Sequence, residues 1–313
     1  MLMEESHSLN ALHVRRTTQF LMMSKIPESE LILNGRGAVY HLDLRPEELA
    51  DTVITVGDPG RVARVSRLFD SIEFERSHRE FVTHTGHIAG KRITVVSTGI
   101  GPDNIDIVLN ELDALANIDF DIREVREEHR TLDIIRVGTS GSLQSDVPVD
   151  SFVASTHAIG LDNLLHFYRT ENHEEERQIR HAFATQTQLD GRGSAPYVFG
   201  GSPALLRRFA GDCHHGITVT CPGFYGPQGR VLRLGLAHPE LNDLLTRFSF
   251  GTHRILNFEM ETSAIYGLGR LLGHRALSLS AIVANRVEKR FSHDADETVE
   301  RLIQLTLERL TEA

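Results

Sequence analysis

From Asp51 onward, apolar runs of strand length alternate with stretches whose apolar residues recur at helical spacing. TVITVG at Thr52–Gly57 reads as a buried strand. GRVARVSRLF at Gly60–Phe69 then places Val62, Val65, Leu68 and Phe69 on one helical face. RITVVST at Arg92–Thr98 predicts a second strand, and Ile105–Leu115 a helix that faces inward through Ile107, Val108, Leu112 and Leu115. Further strands are expected at Asp133–Gly138, Ser151–Thr156, Ile217–Thr220 and Leu277–Asn285. Further helices are expected at Pro239–Phe248, Glu259–Leu272 and Ala295–Leu310. This alternation restricts the chain to an α/β fold, a mixed or mostly parallel sheet covered by helices.

The 313 residues contain no Pro/Gly/Ser-rich linker and no internal repeat, so one domain is expected. We place it at residues 40–313, with residues 1–39 as a peripheral N-terminal extension. That extension lacks the apolar core of a secretory signal, and Met22 and Met23 offer an internal start. Two charged stretches, Asp121–Arg130 and Glu171–Arg180, read as solvated insertions or helix faces. No apolar run approaches the roughly 20 residues of a membrane helix.

The net charge of −10, from 33 basic and 43 acidic residues, argues against nucleic acid and anionic membranes as partners. It leaves room for a small anion held where a few basic groups converge. Two cysteines, Cys213 and Cys221, are too few for a disulfide framework and suit a reducing cytosol. His214 and His215 beside Cys213 lack metal-ligand spacing and read as a polar loop.

Polar residues gather at strand ends, where ligands bind in open α/β sheets. In VGDPGRV (Val56–Val62), Gly57 and Gly60 flank Asp58-Pro59 ahead of a helix, and Arg61 adds a cationic fork. An anion site and a plain helix-capping turn explain this segment equally well. STGIGPDN (Ser97–Asn104) lacks the third glycine of a dinucleotide fingerprint, since Asn104 stands there, and reads as a loop allowing close approach. In RVGTSGSL (Arg136–Leu143) an arginine sits inside an apolar strand, where an unpaired charge is costly. An anionic ligand beside Gly138-Thr139-Ser140-Gly141 accounts for it better than a structural ion pair.

GFYGPQGR (Gly223–Arg230) combines an aromatic pair with Gln228, a donor and acceptor, and Arg230, a donor. These could read a base edge with two carbonyls and one N–H while Phe224 stacks on its face; an ordinary surface loop is the alternative. NFEMETSAIYG (Asn257–Gly267) sets Glu259 and Glu261 around Met260 at a helix start. Carboxylates there suit a ribose diol, and they equally suit the helix dipole.

Taken in order, YHL, VGDPGRV, SHREF, STGIG, IRVGTSG, FYGPQGR, NFEMET and VANR resemble the nucleoside phosphorylase family, in particular its uridine phosphorylase branch. The likeness runs from about Tyr40 to the C-terminus. It implies a single α/β domain around a mixed central sheet or distorted barrel. It implies no cofactor, with inorganic phosphate as co-substrate. Gly57, Arg61, Arg136 and Thr139 should then bind phosphate, joined across a subunit interface by Arg79. Met260 and Glu261 should hold the ribose, with His41 reaching the 5′-hydroxyl from a neighbour. Phe224, Gln228 and Arg230 should meet the base. Asn285 and Arg286 match the pyrimidine branch, because the purine branch carries an aspartate at the position of Asn285. A homo-oligomer built from dimers is implied, dimer or hexamer, and some relatives hold an alkali cation such as K+ at the dimer interface near Glu80 and Ile100. Asn104 departs from the hydroxyl residue expected there.

The reaction implied is uridine plus phosphate giving uracil and ribose 1-phosphate, with Arg230 and Gln228 stabilising the departing base. Competing readings are a purine or broad-specificity phosphorylase, a nucleosidase using water, and a non-catalytic nucleoside sensor.

Overall fold

The computed structural model describes residues 25–189 and 195–312. Its first long element is strand β1 (Thr52–Val56), buried at every position. Helix α1 (Pro59–Ser66) follows at once because Asp58 caps it, accepting from the Gly60 N–H at 2.9 Å, and Pro59 supplies a first-turn φ without wasting a donor. Strands β2 (Ser71–His78), β3 (Phe81–Ile88) and β4 (Lys91–Ser97) form an antiparallel meander, and β4 returns parallel to β1. Helix α2 (Pro102–Asn117) leads through a small hairpin, β5 (Ile118–Asp119) and β6 (Glu124–Val125), to β7 (Asp133–Ser142), which lies parallel to β1 on its other side.

The second half supplies β8 (Phe152–Gly160), α3 (Glu174–Thr187), β9 (Tyr197–Gly200), α4 (Pro203–Arg207) and β10 (His214–Thr220). After them come α5 (Leu241–Arg247), β11 (Ser249–Phe250), β12 (His253–Glu259) and α6 (Thr262–Leu271). Strand β13 (Arg275–Asn285), β14 (Arg290–Phe291) and helix α7 (Ala295–Thr311) complete the chain. Strand β13 pairs parallel with β7 and antiparallel with β8, β8 pairs with β10, and β10 with β12. Strand β12 then bonds back to β7 at Asn257–Ser142 and Phe258–Gly141, closing a five-stranded ring with the β1–β4 sheet as its wing.

Strand alternation divides the core. Val53 and Ile134 face a cluster built with α2 and α6, through residues such as Leu109, Leu112 and Ile265. Their neighbours Ile54 and Ile135 face the opposite cluster, built with α1 and α7 through Val62, Val65, Leu302 and Leu307. A third cluster, including Ile159, Val219, Phe248 and Phe258, fills the region around the ring and α5.

The mixed α/β architecture agrees with the expectation from sequence, and several boundaries move. The strand expected at Asp133–Gly138 runs on to Ser142. The helix expected from Glu259 starts at Thr262: Glu259 ends β12, Glu261 is the N-cap, and the Glu259 carboxylate accepts from the Thr262 N–H. Strand β12 and the β2–β3 hairpin were not anticipated: β2 alternates charged residues with few apolar ones and is largely exposed. The charged stretch at Glu171–Arg180 contributes to α3, which buries Ile179 and Phe183. Packing also continues across residue 39, since Leu31, Ala38 and Val39 are buried and the Ile26 N–H donates to the Arg123 carbonyl at 2.7 Å. The internal start at Met22 or Met23 lies outside the described residues.

Candidate active site

The carboxyl ends of β1, β4, β7, β12 and β13 open onto one cavity of about 710 Å³. Gly57, Arg61, Gly99, Ile100, Arg136 and Thr139 line one part, and Phe224, Gln228, Arg230 and Phe258 another, with Met260 and Glu261 also in the wall. The strand ends that the sequence reading singled out therefore meet.

One end is cationic. Arg136, 7% exposed on β7, donates to Glu261 at 2.6 Å and lies 3.1 Å from Glu259. Burial opposes its charge, and Glu259 and Glu261 outweigh that opposition, so its pKa lies above the ordinary arginine value. Its guanidinium folds back over Gly138, where any β-carbon would collide with it. Arg61 differs. It donates to the Val137 carbonyl at 3.2 Å, and its buried Nε has no partner. Burial, then the neighbouring Arg136, push its pKa down. Two guanidiniums share a cavity wall, and one is short of an anion.

The two glutamates divide their work. Glu259 accepts from Thr220 Oγ1 at 2.8 Å and from the Glu261 and Thr262 N–H groups at 2.9 and 3.0 Å, so it ties the end of β12 to the start of α6 and braces the wall. Glu261 accepts from the Gly101 N–H at 2.9 Å as well as from Arg136. Its burial raises its pKa against the pull of Arg136, and Glu259 adds to the rise.

The other end is planar and polar. Gln228 is 3% exposed. Arg230 donates to Gln228 Oε1 at 2.6 Å and to the Phe224 carbonyl at 2.7 Å. Its guanidinium carbon stands 3.7 Å from the Phe224 ring centroid. Phe224 thus presents one face to Arg230, a contact that sequence spacing did not suggest. Burial, with Arg286 nearby, lowers the Arg230 pKa to about 10. Phe258 on β12 and Phe291 on β14 complete the wall, and neither was singled out from sequence. Phe258 was legible within the NFEMET motif. Phe291 sits in a short hairpin without apolar periodicity and gave no signal.

Four of the expected residues stand outside the cavity wall. His41 lies with Tyr40, His78 and Arg79 in a separate cluster: Tyr40 and His41 rings are 4.9 Å apart, and the Arg79 guanidinium is 5.5 Å from the Tyr40 ring. Glu111 holds the His41 ring through Nδ1 at 2.6 Å. Asn285 and Arg286 stand behind the wall, bonded to backbone. Glu80 and Ile100 are at the cavity, and among the described residues no group of three His, Cys, Asp or Glu could hold a metal ion.

The chain is thus a five-stranded ring with a strand-end cavity that is cationic at one end and aromatic at the other. The Phosphorylase superfamily model matches residues 51–313, and the chain belongs to that family. A nucleoside phosphorylase from Trypanosoma brucei, whose structure is described as showing uridine phosphorylase activity, is 33% identical. It superposes with a TM-score of 0.83 over 90% of this chain and 100% of its own. A uridine phosphorylase from Thermococcus kodakarensis is 29% identical over 276 residues, 86% of each chain. A DeoD-type purine nucleoside phosphorylase from Bacillus thuringiensis is 24% identical, covering 86% of this chain and 97% of its own. In class the chain is a nucleoside phosphorylase, a pentosyltransferase.

Proposed function

We propose that the protein is a uridine phosphorylase, catalysing uridine + phosphate ⇌ uracil + ribose 1-phosphate. The observation that carries this reading is a cationic end, where Arg61 lacks an acidic partner beside the glutamate-paired Arg136, set across the same cavity from the Gln228–Arg230 pair. Phosphate sits at the arginine end, with Gly57 and Thr139 in the wall beside it. Glu261 and Met260 hold the ribose between the two ends.

Cleavage of the glycosidic bond leaves positive charge on the sugar and negative charge on the base. Phosphate attacks the anomeric carbon, and its own charge favours the cationic sugar as the bond to nitrogen breaks. The electron pair leaves with the uracil ring, and Arg230 and Gln228 donate to its carbonyl edge. Donors fixed before reaction act most strongly where charge develops, and Arg230 is fixed by Phe224 and Gln228. Holding both reactants in one cavity supplies much of the remaining acceleration.

His41 and Arg79 lie in a cluster apart from this cavity, which supports a homo-oligomer in which each chain lends them to a neighbour's site. We assign the protein to the cytosol and to pyrimidine salvage. Both cysteines are free, and no helix among the described residues is long and apolar enough to cross a membrane.

A purine-specific reading is favoured by the purine nucleoside phosphorylases among the relatives, the Bacillus protein included. Against it, the Asn285 carboxamide faces backbone groups and brings no acid to the cavity. The deciding assay is base release from uridine, thymidine and inosine, each with and without phosphate. Phosphate-dependent uracil release with inosine inert is the expected result. Release without phosphate makes the protein a nucleosidase, and release from inosine alone overturns the pyrimidine assignment.

A further inference from the structure

Asn285 ends β13 with its side chain 1% exposed. Its carboxamide is saturated by backbone. Nδ2 donates to the carbonyls of Gln144 at 2.9 Å and Val147 at 3.1 Å. Oδ1 accepts from the N–H groups of Val287 at 3.0 Å and Glu288 at 2.8 Å. One side chain thereby ties the end of β13 to the loop after β7 and fixes the turn into β14. Nothing is left over to reach a ligand.

Arg286 leaves that turn with its N–H on the Ser142 carbonyl at 2.9 Å. Its guanidinium carbon is 5.7 Å from the Phe258 ring, and Nη2 stands 3.4 Å from the Gly229 carbonyl. Gly229 lies between Gln228 and Arg230 and has φ of 68°, a left-handed conformation that suits glycine. The same turn is held by Asn242, whose Nδ2 is 3.4 Å from the Gln228 carbonyl. Neither Asn285 nor Arg286 lines the cavity, whereas Gln228 and Arg230 both do.

We propose that Asn285 and Arg286 are positioning residues for the base-reading pair, acting in series through the Gly229 carbonyl and not by touching the base. Asn285 fixes the turn, the turn aims Arg286, and Arg286 fastens the peptide that carries Gln228 and Arg230. The specificity of the Asn-Arg pair is then exercised at one remove. An aspartate at 285 would set a carboxylate oxygen against the Gln144 and Val147 carbonyls, so the turn itself excludes an acid in this rotamer. The inference rests on the reading of Gln228 and Arg230 as base contacts.

The test compares Asn285→Ala, Arg286→Ala, the double variant and Arg286→Lys in full-length protein. Steady-state kinetics for uridine and phosphate are measured together with hydrogen exchange of the 223–230 segment. Loss of one charge-assisted contact predicts about a tenfold fall in kcat/KM for uridine in each single variant, with KM for phosphate within about twofold. Residues acting in series couple, so the double variant should be no worse than about twofold below the weaker single. Arg286→Lys, which keeps a donor for Gly229, should recover part of the loss. Exchange in the 223–230 segment should quicken in both alanine variants.

Effects that multiply independently overturn the proposal, as does a parallel rise in KM for phosphate, or unchanged exchange in the segment. If Asn285→Ala does not fold, Arg286→Ala against Arg286→Lys decides by the same readings. If the unaltered protein fails to cleave uridine with phosphate, the functional reading falls, and hydrogen exchange still decides whether these two residues hold the turn.

Discussion

Arg136 is a buried cation flanked by two buried carboxylates, and the three groups do not share the cost evenly. The arginine is held charged, while Glu261 is displaced upward by burial and by Glu259. The folded chain therefore holds the Glu261 proton more tightly than the unfolded chain does. That contributes stability present below the unfolded value of 4.5 and lost as pH rises through the folded pKa. Above that window an ionised Glu261 costs stability. Glu261→Gln should gain melting temperature relative to the unaltered protein as pH rises above 4.5, while uridine turnover falls. A difference in melting temperature that stays flat with pH, or moves the other way, contradicts this account. Gly138→Ala reads the same site from the anion side. A β-carbon would displace the Arg136 guanidinium. KM for phosphate should rise by about tenfold or more, on the scale of a charge-assisted hydrogen bond of about 1.5–3 kcal/mol; an unchanged KM removes Arg136 from the phosphate site. At this scale an arginine in an apolar strand drew notice in the sequence, but the reading preferred an anionic ligand to the ion pairs with Glu261 and Glu259 that hold it in the fold. It was silent on Arg230 covering Phe224, because ring stacking between residues six apart in a loop has no period to betray it.

Among the pairings that close the ring, the seam between β7 and β12 is the narrowest, with two paired positions. A buried polar chain runs beside it. Ser155 Oγ lies 2.6 Å from Thr218 Oγ1, Thr218 donates to Asn257 Oδ1 at 2.7 Å, and Asn257 Nδ2 donates to Ser140 Oγ at 2.8 Å. These four residues stand on β8, β10, β12 and β7, so the chain crosses the ring. Asn257→Leu should destabilise the fold by about 1–3 kcal/mol by leaving two buried hydroxyls short of a partner, measured as a lower midpoint in urea. Unchanged stability would mean the seam is held by backbone pairing alone. Elements with one strong period were legible in advance: β1 is buried throughout, and α1 carries its apolar residues on one face. Strand β12 was not, because HRILNFE mixes polar residues that face the ring interior with apolar ones, so Asn257 breaks the pattern that would mark a buried strand. The same mixture hid the boundary between β12 and α6, where Glu259 resembles a first-turn residue and instead ends the strand.

For the molecule as a whole, the cluster of His41 and Arg79 is the test of assembly. If each chain lends these residues to another, Arg79→Ala and Arg136→Ala are each deficient, and the deficits fall in different sites. Mixing the two after mild dissociation should restore activity toward about a quarter of the unaltered level, the share of sites that receive intact residues from both chains in a random dimer. No recovery, in mixtures shown by mass to contain both chains, would place the two residues outside catalysis or in their own chain's site. Single-domain organisation followed from composition and the absence of linkers. The closure of the ring did not, because which strands become neighbours depends on pairing between segments far apart in sequence.

That closure has a temporal side. Strand β13 inserts between β7 and β8, and its first residue, Arg275, is bonded to Asp133, 142 positions earlier. Contacts of such long range form late and slowly. On the ribosome, β7 and β8 emerge long before the strand that separates them. Until about residue 285 is free, the growing chain carries two open strand edges and lacks the wall at Val283 and Ala284. Until then the cavity wall is incomplete, and the open edges are free to pair wrongly.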